Sequence, residues 1–471
     1  ESVERRSGAK GNAEQPHMRR TQSRESMSQR LSRVREAAKQ RKKERFTALF
    51  HLLTAEALEN AFLSLSRKAA AGVDGVRWKD YAENLKVNIA DLHRRLHQGS
   101  YRAQPGRRHY IPKADGKQRP LGIASLEDKI VQYALVKILN AVYENDFMGF
   151  SYGFRPGRSQ HNALDALATG LVRTNVNWVL DADISQFFDK VSHEWLIRFI
   201  EHRIGDQRVI RLIRKWLTAG TSEEGEWRAS EEGTPQGAVI SPLLANIYLH
   251  YVFDLWAHQW RRRHATGNVV MVRYADDIVI GFDKRIDAQC FRIAMQRRLK
   301  EFGLTVHPKK TRLMEFGRFA AENRASRGKG KPETFNFLGF THISGKDRSG
   351  RFMLIRKTRR DRMTATLKAI KDGLRKRWHY SIPEQGKWLR RVVQGYLNYH
   401  SVPGNYPMMR KFRIYVTDLW RRALRRRSQQ DDTTWTKANR LAAVWLPKVR
   451  VLHPWPVERF TARHPRQEPG A

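Results

Sequence analysis

Helical periodicity of apolar residues sets in at Phe46, after a stretch with almost no large apolar side chains. A loop at Ala71-Gly72-Val73-Asp74-Gly75 leads to a second helical stripe through Leu85, Ile89, Leu92 and Leu96. Tyr110-Ile111-Pro112-Lys113, Asp115-Gly116 and Arg119-Pro120-Leu121 then predict a hairpin with basic residues on both arms. A helix follows over 127–143, and residues 178–184 predict a strand that ends in carboxylates. Ser192 is placed to cap the next helix, through Leu196 and Ile200. Ser241-Pro242 opens a helix to about residue 260, with Leu244, Ile247, Tyr248 and Tyr251 on one stripe. The short apolar runs 269–272 and 278–282 predict a hairpin, 287–302 a helix, and 304–306 and 335–340 further strands. Beyond residue 351 the pattern is helical, through Trp388, Leu389, Val392, Val393, Tyr396 and Tyr399, then Phe412, Val416, Leu419, Trp420 and Leu424.

Charge changes the picture. A formal net charge of +42 implies a polyanionic partner, and nucleic acid is the common one. With 40% apolar residues and 13 Trp the chain is no disordered cationic polymer, and six of those Trp follow residue 370, which predicts a separate core there. Residues 1–48 read as a basic, flexible leader whose last part, 31–45, could form a charged helix on RNA. Cys290 stands alone, excluding a disulfide framework or a multi-cysteine zinc site; its helical setting suggests a small core residue. No run of 18 apolar residues and no apolar stretch after the basic start suggests a membrane span or a secretory signal, so an intracellular chain is expected.

The chemistry concentrates at Tyr274-Ala275-Asp276-Asp277, between the two apolar runs of the 269–282 hairpin. Two adjacent anions on a tight turn repel each other and are costly to desolvate, so a cation belongs beside them. Hard Mg²⁺ prefers carboxylate oxygens. Leu180-Asp181-Ala182-Asp183-Ile184 ends a second strand, and alternation puts Asp181 and Asp183 on the same face. Beside the turn, Asp183 would complete three carboxylates able to hold two Mg²⁺ for in-line nucleotidyl transfer; alone, it would read as a turn cap. Phe188 stands five positions on, where a ring could pack under a sugar and exclude a 2′-hydroxyl. Gly233-Thr234-Pro235-Gln236-Gly237 before Ser241-Pro242 lets backbone and a Gln amide approach a ligand at a helix start. Lys113 and Arg119 could clamp a triphosphate.

Taken in order, these motifs resemble those of bacterial group II intron-encoded reverse transcriptases and maturases, over roughly residues 50–460. In that resemblance 110–121 and 153–159 match the fingers blocks, Asp183 with Phe188 the first palm block, and 233–241 the next. Tyr274-Ala275-Asp276-Asp277 matches the catalytic turn, and Lys310 the lysine that protonates the leaving pyrophosphate. Phe337-Leu338-Gly339-Phe340 matches the primer grip. The resemblance implies an α+β right hand: fingers at 49–177, an antiparallel-sheet palm at 178–348, and a helical thumb, or maturase domain X, at 349–430. The remaining 431–471 reads as a basic segment, too short and without Cys for an HNH endonuclease, with a short DNA-binding region left open.

The implied reaction is RNA-directed DNA synthesis with two Mg²⁺ ions, Mn²⁺ being able to substitute. Asp183 and Asp276 would ligate both ions, with the Ile184 carbonyl and Asp277 in support. Lys113, Arg119, Phe188, Gln236 and Ala275 would hold the nucleotide, and Leu338 and Gly339 the primer. Expected partners are group II intron RNA, an RNA template with a DNA primer, target DNA and deoxynucleoside triphosphates, in a bacterial cytoplasm. Two alternatives stand beside splicing and retrohoming. One is a domesticated reverse transcriptase of phage defence, CRISPR spacer acquisition or a diversity-generating element; the other is a splicing cofactor with a vestigial polymerase site.

Overall fold

The computed structural model describes residues 14–112, 118–223, 225–427 and 433–463. Its fold is α+β, and the described residues form two compact units drawn from separate stretches. The first takes in 1–158, 184–260 and 294–307; the second takes in 159–183, 261–293 and 308–471. The strands are β1 (Gly106–Pro112), β2 (Gln118–Ile123), β3 (Trp178–Asp183), β4 (Thr221–Glu223), β5 (Glu226–Arg228), β6 (Val269–Tyr274), β7 (Asp277–Phe282), β8 (Arg312–Glu315), β9 (Phe335–Phe337), β10 (Phe340–Lys346) and β11 (Phe352–Thr358).

In the first unit, β1 and β2 form the expected hairpin, with Ile111 opposite Arg119. They lie in a sheet of order β2-β1-β4-β5, in which β4 joins β1 in parallel. Helix Leu126–Tyr143 is the unit's axis: Ser125 caps it by accepting from the Asp128 N–H, and most of its residues are buried. Helices Ala55–Ser64 and Glu14–Gln40 pack against it.

That second contact corrects the expectation of a flexible leader, because Glu14–Gln40 is one helix of 27 residues with Ala38 fully buried. The reason lies far away in sequence. Arg203, buried and paired with Asp146 at 2.7 Å, donates to the Ala38, Arg41 and Glu44 carbonyls. Those are the carbonyls that a helix end and the turn after it leave unsatisfied. Residues 1–13 of the expected leader lie outside the described residues. The helix expected from 241 to about 260 is interrupted by a π-helical segment, His250–Asp254, and then continues as Leu255–His264.

The second unit holds two sheets and a helical bundle. One sheet is wholly antiparallel, in the order β6-β7-β3-β8, and its central residues are buried apolar side chains. The other runs β11-β10-β9. Here the single strand expected over 335–340 is a tight hairpin, with Phe337 paired to Phe340 across Leu338-Gly339. The strand expected at 304–306, in the first unit, is reduced to one bridge between Ile184 and Val306. The region beyond 351, expected to be helical, opens with β11, and its first helix is Arg360–Arg375.

Helices Arg360–Arg375, Ile382–His400 and Tyr406–Arg425 share one apolar core that includes Leu389, Val393, Phe412, Val416 and Trp420. Full burial of each such side chain is worth ~1.5–3 kcal/mol, against at most ~1 kcal/mol for a typical exposed charge pair. The core therefore outweighs repulsion among the surface cations. Ala442 of the following helix, Trp435–Trp445, and Leu446 just after it belong to the same core. Gly386 permits that approach: a Cβ there would lie 2.4 Å from the Trp445 ring. Helix Pro456–Arg463 packs on Gln160–Arg173, where Arg459 pairs with the buried Asp165. Cys290 is exposed, contrary to expectation: the buried stripe of its helix is Ala288, Phe291, Met295 and Leu299. No helix among the described residues is long and apolar enough to cross a membrane.

Candidate active site

Antiparallel pairing of β3 with β7 sets Asp183 directly opposite Asp277, and pairing of β6 with β7 sets Tyr274 opposite the same residue. Ala275 and Asp276 are thus the two residues of the turn. Ala275 takes φ 56°, the left-handed region that a non-glycine residue enters at a cost of ~1–3 kcal/mol. Arg273, fully buried, donates through Nη1 to the Ala275 carbonyl at 3.0 Å and so holds the turn from beneath. Nothing in the hydrophobic pattern singles out Arg273; the only signal was a charge inside an apolar strand.

Lys310 places its Nζ 2.9 Å from the Asp183 Oδ2. Asp183, Asp276, Asp277 and Lys310, expected to act together, are all in the second unit. Desolvation, then repulsion from Asp276 and Asp183, pushes the Asp277 carboxyl up to about 6, against the pull of Lys310 and Arg359. Asp277 is nonetheless an exposed residue. Desolvation also pushes Asp181 up to about 7; Arg312 opposes the shift, and Asp277 and Asp183 add to it. Sequence reading noted Asp181 only for its facing, and it missed Arg312 and Arg359.

The donor set suits a hard divalent cation: carboxylate oxygens with surplus negative charge, one of them already drawing in an ammonium. Among the described residues, however, no three His, Cys, Asp or Glu side chains close into a metal cage on their own. Mg²⁺ typically takes one or two carboxylates and completes its shell with water and substrate phosphate, so the donors remain adequate.

The Leu338-Gly339 turn, like the Ala275-Asp276 turn, carries a non-glycine residue in the left-handed region. Leu338 has φ 44° and Gly339 φ 80°. Tyr399 donates its hydroxyl to the Leu338 carbonyl at 2.8 Å, and the Arg359 N–H donates to the Gly339 carbonyl at 3.1 Å.

Other expected residues belong to the first unit. Phe188 and Gln236 line one cavity of about 150 Å³ with Asp189 and the Gly233–Pro235 loop. Phe187 beside it is buried core. The loop is tied down by Gly233 N–H to the Val191 carbonyl and Thr234 N–H to the Phe188 carbonyl, both 2.8 Å. Gln236 donates from Nε2 to the Asp189 Oδ1 at 2.6 Å. Arg119 is exposed on β2, and Ile184 is buried at its bridge to Val306. Lys113 lies outside the described residues. Among the described residues, four non-glycine residues have positive φ: Phe154, Gln186, Ala275 and Leu338. Each falls in or beside a motif that the sequence singled out, which is where strain is expected to be retained for function.

Residues 111–342 match the family described as reverse transcriptase (RNA-dependent DNA polymerase). The chain is 43% identical over 206 residues to Protein YkfC of Escherichia coli K12, covering 43% of this chain and 54% of that protein. It is 37% identical over 223 residues to the group II intron-encoded protein LtrA of Lactococcus lactis, covering 47% of this chain and 37% of LtrA. A putative COX1/OXI3 intron 1 protein of Saccharomyces cerevisiae is 26% identical over 393 residues, covering 69% of this chain and 46% of the yeast protein. The chain thus spans about half, or less, of the length of these relatives.

Proposed function

We propose that this chain is a reverse transcriptase of the group II intron-encoded branch, an RNA-directed DNA polymerase. It would extend a DNA primer on an RNA template, bind and help to splice intron RNA, and copy that RNA during insertion into target DNA in a bacterial cytoplasm. The observation that carries the reading is the register of β3 and β7, which sets Asp183 opposite Asp277 beside the Asp276 turn.

Asp183 and Asp276 would hold two Mg²⁺ ions, with the Ile184 carbonyl and Asp277 in support. Bound there, Mg²⁺ supplies an activated 3′-hydroxyl and charge compensation for the phosphates. Lys310, already beside Asp183, would give its Nζ proton to the departing pyrophosphate. Arg119 and Lys113 would hold the triphosphate, and the cavity of Phe188 and Gln236 would receive the sugar and base. The strained Leu338-Gly339 turn would present its backbone to the primer end.

Two measurements test this reading. The chain should make cDNA from a primer annealed to RNA, and should speed splicing of an intron RNA that carries its coding sequence. cDNA without any effect on splicing would support the domesticated-enzyme alternative; splicing without cDNA would support the vestigial cofactor.

A further inference from the structure

The helical bundle carries a second site. Lys371, Leu374, Arg375 and Trp378 stand at i, i+3, i+4 and i+7, one face of helix Arg360–Arg375 and the turn that follows it. Leu419, Arg422, Ala423 and Arg426 stand at the same spacing along helix Tyr406–Arg425. These two helices pack against each other, and the two stripes line a groove of about 110 Å³. Leu374, Leu419 and Ala423 make its apolar floor, and cations stand around it.

Trp378 is 37% exposed in this groove. Its backbone is pinned: the Trp378 N–H donates to the Arg375 carbonyl at 3.3 Å, and Arg427 donates to the Tyr380 carbonyl. Arg377 lies over the Trp388 ring at 4.4 Å, which fixes the same turn. Arg422 is held by Asp418 at 2.7 Å, while Lys371 and Arg426 make no ion pair among the described residues. Basic residues near helix C-termini offset the macrodipole, about −0.5 charge per helix. Four cations around two helix ends far exceed that need. A macrodipole also gives no reason for an open indole between them.

We propose that this groove receives a single extrahelical nucleotide of bound RNA, its base stacked on Trp378 and its flanking phosphates on Lys371, Arg375, Arg422 and Arg426. The volume falls well below the ~300 Å³ lower limit of drug-sized pockets, so one planar base fits the groove better than a larger ligand. Stacking on an aromatic ring is available to any base, and unpaired nucleotides are the parts of an RNA that can be splayed onto one. The assignment rests on the RNA-binding reading above.

The test compares binding of the full chain to two RNA hairpins that differ only in one bulged adenosine, replaced in the second by an abasic residue. The expected preference for the bulged base is about tenfold. Trp378→Ala removes it, and Ala423→Phe, which fills the groove and keeps the indole, removes it as well. Arg426→Gln weakens both hairpins alike and lowers the salt slope by about 0.7–0.9. A 4-thiouridine at the bulge crosslinks the wild-type chain at Trp378 or its immediate neighbours, a readout that needs no variant. Equal binding of the two hairpins by wild type, or a preference that survives both substitutions, overturns the groove alone. Failure to bind either hairpin overturns the RNA-binding reading with it.

Discussion

Gly339→Ala tests how the Leu338-Gly339 turn is held. At φ 80° an alanine is in the left-handed region, which costs ~1–2 kcal/mol relative to its ordinary conformations. The new Cβ would stand 3.3 Å from the Tyr399 ring, tighter than ordinary contact, and would push that ring outward. Tyr399 would then lose its 2.8 Å bond to the Leu338 carbonyl, worth ~0.5–1.5 kcal/mol. Together these amount to ~1.5–3.5 kcal/mol, or about 3–14 °C in the melting of a unit this size. Tyr399→Phe removes the hydrogen bond alone and should cost ~0.5–1.5 kcal/mol. Because the two changes share a contact, the double variant should fall short of additivity. The assays are thermal unfolding and primer extension with the primer–template titrated; Gly339→Ala should raise KM for primer–template more than it lowers kcat. Melting within about 1 °C of wild type, or strict additivity with Tyr399→Phe, would refute the reasoning.

Three further outcomes follow from the same structure. His342 is fully buried and stacked on Phe335 at 4.7 Å, and among the described residues neither ring nitrogen finds a hydrogen-bond partner of good geometry; desolvation pushes it down to about 3. The unfolded chain then takes up its proton first, so stability falls as pH drops below about 6.5, and His342→Phe should flatten that acid limb and stabilise by ~1 kcal/mol in chemical denaturation. Asp181 carries the opposite sign: raised to about 7, it binds its proton in the folded state, so stability without divalent metal declines as pH rises from about 4 to 7. Asp181→Asn should remove that decline, and an unchanged pH profile would contradict the placement. Phe188→Ala, opening the cavity beside Gln236, should relax discrimination against ribonucleotides in single-nucleotide incorporation; intact discrimination would sink the gate assignment.

Much of the strand-and-turn frame of the candidate site was legible because its cause is local. A two-residue turn flanked by apolar strands announces itself, and strand alternation fixes which carboxylates share a face. What stayed hidden depends on partners distant in the chain. Arg203 turns a basic leader into a docked helix by satisfying its terminal carbonyls, and no periodicity within residues 14–40 reveals that. Arg273 looked like an interruption of a strand and is the support of its turn. The 335–340 segment read as one strand because Leu338 is apolar, yet its left-handed backbone reverses the chain. Cys290 was misjudged from its helical setting, since the stripe through Phe291 and Met295 leaves it on the outer face.

The most direct measurement is the single-turnover rate of deoxynucleotide addition to a DNA primer on an RNA template in Mg²⁺, for wild type and Asp276→Asn. The account predicts addition by wild type and a loss of at least about a thousandfold in the variant, comparable to removing a key group that stabilises transition-state charge. RNA binding should persist in both. A variant that adds nucleotides at the wild-type rate would contradict a catalytic centre built on the turn opposite Asp183.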